Sequence, residues 1–128
     1  MTLDTSPKTL AIDFGTKRIG LAVSHARLAI PLEVVEYDQV EEALSRIEDV
    51  AVEHQVELLL LGISEQEMAV QTRSFGELLI ERLGLPLKYA DETLSSKQVR
   101  AKLKERGKRV NGPIDHLAAS LFLEEWMG

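Results

Sequence analysis

The sequence predicts an α/β fold with a mixed five-stranded sheet flanked by helices, and three observations predict it. The apolar runs before Gln39 are short and strand-like, with a glycine-bearing turn between the first two. After Gln39, stretches of helical spacing alternate with short apolar runs, in the order β-β-β-α-β-α-β-α-α. Strands reached through helices run parallel to the first, whereas three leading strands close into an antiparallel meander.

Residues 8–14 read as a buried strand, and Ile19 to Ser24 as its neighbour. Pro31 to Tyr37 alternates apolar and polar, which suits a third strand with one wetter face. From Gln39 to about His54, Val40, Ala43, Leu44, Ile47, Val50 and Ala51 recur at helical spacing. Glu57 to Gly62 is a leucine run ended by glycine, a central strand. A second helix spans Ala69 to about Leu83, with Val70, Phe75, Leu78, Leu79 and Leu83 turned inward. Pro86 to Ala90 is the fifth strand. Ser95 or Ser96 caps a helix running to about Arg106. Gly112 and Pro113 open the last helix, which buries Ile114, Leu117, Ala118, Leu121, Phe122 and Trp126.

At 128 residues the chain reads as one domain, 1–128, large enough to bury about two-thirds of its unfolded surface. It has no cysteine, which excludes disulfides, thiolate zinc sites and a thiol nucleophile. No apolar stretch approaches a membrane span, and Met1 to Lys8 lacks the pattern of a signal peptide. A cytoplasmic location is the expectation.

The net charge of −6 hides a segregation. Lys97, Arg100, Lys102, Lys104, Arg106, Lys108 and Arg109 crowd one segment against the single acid Glu105. Local field decides where a polyanion docks. A solvated helix face and charged loop explain the same run equally well.

Three acids stand where this fold would gather them. Asp13 ends the first apolar strand, where a carboxylate costs stability unless it has a partner or a task. It also suits backbone hydrogen bonding in the Gly15-Thr16 turn. Glu92 follows the fifth strand, and Asp115 opens the last helix. Both also suit helix dipoles. In such a sheet, ligands bind beyond the carboxyl ends of the parallel strands. Ala118 and Ala119 would let the last helix approach that edge. Carboxylates that converge repel one another unless a cation sits between them, and a divalent metal, Mg²⁺ or Mn²⁺, is the expected one. Lys17, Arg18, Lys97, Arg100, Lys104, Lys108 and Arg109 are the candidate phosphate contacts. His25, His54 and His116 form no metal-ligand spacing, and a surface position is expected for each.

Ala11 to Ser24, Asp91-Glu-Thr-Leu-Ser-Ser96 and Ile114-Asp-His-Leu-Ala-Ala119 resemble, in order, three motifs of the YqgF/RuvX family. The resemblance spans nearly the whole chain. It implies a ribonuclease H-like fold related to the Holliday junction resolvase RuvC. It also implies a hydrolase acting on ester bonds, a metal-dependent endonuclease. Members are described as candidate nucleases that process the 5′ end of precursor 16S ribosomal RNA, or as junction resolvases. The family's catalytic, metal-binding positions carry onto Asp13, Glu92 and Asp115. One departure is plain: Gly62-Ile-Ser-Glu-Gln-Glu-Met68 replaces the family's Gly-Leu-Pro and later glycine.

The leading expectation is therefore an endonuclease of structured nucleic acid, either precursor ribosomal RNA or branched DNA. A junction has two-fold symmetry, so resolving it symmetrically calls for a homodimer. A non-cleaving nucleic-acid-binding factor is a second class, kept open by the altered loop. Asp13-Phe-Gly-Thr16 also resembles the first phosphate loop of actin-like and sugar-kinase ATPases. Those need two lobes, and this length supplies one.

Overall fold

The computed structural model describes residues 6–63, 69–91, 101, 104–105 and 114–128. Strand β1 is Thr9–Asp13, β2 Arg18–His25, β3 Leu28–Glu36, β4 Leu58–Ile63 and β5 Leu87–Asp91. Helix α1 is Val40–Glu53, α2 Ala69–Leu83 and α3 Asp115–Met127. The sheet order is β3-β2-β1-β4-β5. β1 pairs antiparallel with β2, and β2 with β3. β4 runs parallel to β1, and β5 parallel to β4. The mixed sheet with its meander is the expected one. Of the helix expected from Ser95 to Arg106, Ala101, Lys104 and Glu105 are described and are helical.

Strand alternation sorts the core into two layers. Leu10, Ile12, Ile19, Leu21, Leu59 and Leu61 face α1 and α2, packing on Ala43, Leu44, Ile47, Phe75 and Leu79. Ala11, Ala22, Leu60 and Ala90 face the other way, against Ala119, Phe122 and Leu123 of α3. The contrast in side-chain size has a consequence. Alanines on this face let α3 settle close to the sheet, while branched chains keep α1 and α2 farther off.

Several boundaries differ from expectation. β3 begins at Leu28, not Pro31, after a two-residue hairpin in which Ala26 adopts a φ of 55°. That turn has no glycine or asparagine to announce it. Pro31 instead lies within the strand, where the register jumps between Leu21 and Ala22. A proline without an N–H is tolerated there because β3 is an edge strand and the ladder is already bulged.

In α2 the buried stripe is Thr72, Phe75, Gly76 and Leu79, while Val70 is 75% and Leu78 41% exposed. Gly76 faces Tyr89 and Leu61, and a methyl there would come within 2.5 Å of the Tyr89 hydroxyl. α3 starts at Asp115, with Ile114 as its N-cap. Its buried positions are Ala119, Leu121, Phe122 and Leu123; Leu117 and Ala118 are half-buried and Trp126 is exposed. None of the described helices is long and apolar enough to cross a membrane.

Candidate active site

The site is built where β1 ends. Asp13 follows Ala11 by two residues, so it belongs to the α3 face of the sheet. Across the ladder it pairs with Gly20 of β2, and directly opposed residues share a face. A methyl placed on Gly20 would come within 2.0 Å of the Asp115 carbonyl carbon and oxygen and 2.4 Å of the His116 nitrogen. The first turn of α3 therefore rests directly on Gly20. One missing side chain brings the Asp13 and Asp115 positions to the same corner of the sheet.

At that corner the Arg18 Nε lies 3.2 Å from Asp115 Oδ2. Oδ2 is buried, yet no described residue gives it a hydrogen bond of good geometry. The Arg18 contact is thus a charge contact rather than an aligned bond. The arginine side chain is 50% exposed and the carboxylate 23%. His116 is half-buried rather than at the surface, and its Nδ1 has no hydrogen-bond partner among the described residues.

The loop between β1 and β2 is clamped from below and from the side. Phe14 stacks on Phe75 of α2, with ring centroids 4.6 Å apart. The Tyr37 hydroxyl donates to the Gly15 carbonyl, and the Tyr37 N–H donates to the Lys17 carbonyl at 3.1 Å. Gly15 makes the turn tight: a methyl there would come 2.5 Å from the Arg18 carbonyl oxygen. Burial pushes the Tyr37 phenol above its ordinary pKa. The clamp presents Lys17 and Arg18 outward. They border an open groove of about 590 Å³ that Thr16, Tyr37 and the acids Glu36, Asp38 and Glu42 also line.

Of the ten expected site residues, Arg18 contacts Asp115, and Asp13 and Lys17 lie at the same end of the β1-β2 pair. Lys104 is helical and exposed. Glu92, Lys97, Arg100, Lys108 and Arg109 lie outside the described residues, as does the Ser64 to Met68 part of the atypical loop. Ala90, two positions before Glu92, is on the α3 face. No cluster of three His, Cys, Asp or Glu side chains forms among the described residues. Asp13 and the Asp115 oxygen without a hydrogen bond are hard carboxylate donors, and they fit a divalent cation. Sequence reading missed Gly20 and Tyr37. The signal for Gly20 was a glycine inside a strand, a common mark of close backbone approach; Tyr37 had none.

The family model described as "RuvX: Holliday junction resolvase" matches residues 7–128. The chain belongs to the RuvX family. It is 35% identical to a candidate pre-16S rRNA nuclease of Dechloromonas aromatica (strain RCB), over 91% of this chain and 88% of the relative. A protein of Aeromonas salmonicida (strain A449), similarly named, is 34% identical over 96% of both chains. Among solved structures, T. thermophilus RuvC in complex with Holliday junction substrate superposes with a TM-score of 0.63. That match has 17% identity and covers 95% of this chain and 94% of the other. At that identity the likeness is one of fold, and the fold of this RuvX member is ribonuclease H-like.

Proposed function

We propose that the chain is a metal-dependent endonuclease of structured nucleic acid, and that it trims the 5′ end of precursor 16S ribosomal RNA in the cytoplasm. One observation carries the chemistry: Gly20 lets Asp115 reach the corner of the sheet that Asp13 occupies. The RNA substrate is supported by relatives named as candidate pre-16S rRNA nucleases.

Asp13, Glu92 and Asp115 are the residues that would hold the ion, with Mg²⁺ or Mn²⁺ matching an all-carboxylate set. When bound, such an ion makes a nucleophile of water and stabilises charge on the leaving oxygen. The protein's own part is positioning. Lys17 and Arg18, held by the Tyr37 clamp, engage phosphate and fix the backbone at the carboxylates. Lys97, Arg100, Lys104, Lys108 and Arg109 extend that contact along the strand. Phosphate contacts of this kind supply affinity without reading sequence.

A second reading, symmetric cleavage of four-way DNA junctions by a homodimer, is favoured by the description of the matching family model. Cleavage of a 5′-extended 16S rRNA fragment and of a four-way junction, each with and without Mn²⁺, decides between them. Specific metal-dependent cuts in the RNA support the proposal; paired cuts in the junction alone support the second reading. Tight binding without cleavage of either would mean a binding factor.

A further inference from the structure

We propose that Arg18 is a displaceable counter-cation of this site. It neutralises Asp115 until a divalent ion takes the carboxylate, and the released guanidinium then binds a substrate phosphate. The inference rests on reading Asp115 as a metal ligand.

The contact has the properties such an exchange needs. Arg18 Nε is 3.2 Å from Asp115 Oδ2, which is the oxygen that receives no aligned hydrogen bond among the described residues. The arginine is half-exposed and its contact with the buried Oδ2 is not an aligned hydrogen bond, so the pair lacks the geometry that would hold it tightly. A guanidinium at Oδ2 and a divalent ion in its coordination shell repel each other strongly, so the two compete for one oxygen. The arginine backbone is fixed by pairing with Glu36 at the start of β2. Its side chain can therefore swing while its anchor stays still. The same residue borders the open groove beside Lys17, with the acids Glu36, Asp38 and Glu42 also on its lining, so a released guanidinium stays next to a second cation. Guanidinium suits the phosphate end of the exchange, since its fork matches phosphate while only its Nε touches Asp115. Lysine at this position would keep the charge and lose the fork.

Mn²⁺ alone, titrated calorimetrically into the full chain without nucleic acid, tests the first half. Arg18→Ala should bind Mn²⁺ about three- to thirtyfold tighter than wild type, Arg18→Lys should fall between, and Asp115→Asn should bind far more weakly. Equal affinity for wild type and Arg18→Ala, with Asp115→Asn still impaired, overturns the exchange and leaves the metal site standing. No saturable Mn²⁺ binding by wild type or Arg18→Ala overturns both. Binding of a 5′-extended rRNA fragment in Ca²⁺ over a salt series tests the second half. Arg18→Ala should weaken it and reduce the salt slope by about one. An unchanged slope removes Arg18 from the phosphate contact.

Discussion

Gly20 and Asp115 touch backbone to backbone: no side chain larger than hydrogen fits between β2 and the first turn of α3. Because Gly20 pairs with Asp13, this contact sets how near two acids from opposite ends of the chain can come.

Gly20→Ala should therefore harm the fold and the site together. Its methyl would overlap the Asp115 carbonyl, and overpacking of this kind costs about 1–3 kcal/mol. Chemical denaturation should show that loss, and Mn²⁺ titration of the folded fraction should show weakened binding. Ala22, two residues on and also under α3, provides a control: Ala22→Gly should cost stability while sparing metal affinity.

Asp115→Asn should separate chemistry from folding. It keeps the shape and removes the charge from an oxygen that receives no aligned hydrogen bond among the described residues. Cleavage should fall by about a hundredfold or more, since even outer-shell changes at metal sites cost ten- to a hundredfold. Thermal unfolding should shift little, because the substitution keeps the side-chain volume and the Arg18 contact it weakens is not an aligned hydrogen bond.

Tyr37→Phe removes the hydroxyl that donates to the Gly15 carbonyl and leaves the ring in place. A net loss of about 0.5–1.5 kcal/mol is expected. The loop that presents Lys17 and Arg18 loosens, so KM should rise more than kcat falls. The wild-type phenol is raised by burial. Above the unfolded-state pKa the unfolded chain ionises first, so wild type loses stability as pH rises past about 10. Tyr37→Phe should lack that alkaline loss.

Much of this was legible from local pattern. Asp13 could be read because an acid closing Thr9-Leu-Ala-Ile has no place in a buried strand without a reason. The two-faced core was legible in the alternation of Leu10 and Ile12 with Ala11. Gly20 looked like an ordinary strand glycine because its neighbour, α3, is nearly a hundred residues away in the chain. Ala26-Arg27 gave no turn signal, and Pro31 looked like a boundary where it is a paired strand residue beside a bulge. In α2, Val70 and Leu78 suggested an inward stripe by hydrophobicity, but Tyr89 selects the face that carries Gly76. Tertiary contact overrode composition in each case.

Away from the site, Arg46 donates two hydrogen bonds to Glu33, and that pairing holds the Glu33 carboxyl below its ordinary pKa. A depressed acid stabilises the fold above its unfolded-state value near 4.5, and the benefit is lost as pH falls through the folded value. Glu33→Gln should thus cost less than about 1 kcal/mol at neutral pH, the pair being solvent-exposed. The difference from wild type should vanish in acid. Activity should be unchanged throughout.

Asp13, with Glu92 and Asp115, is proposed to hold the divalent ion on which cleavage of nucleic acid depends. The most direct test is Mn²⁺-dependent cleavage of a 5′-extended 16S rRNA fragment by wild type and by Asp13→Asn, alongside Mn²⁺ affinity measured by calorimetry. The variant should fold normally, bind Mn²⁺ far more weakly and fail to cleave. A folded Asp13→Asn chain that binds Mn²⁺ and cleaves like wild type would contradict that role.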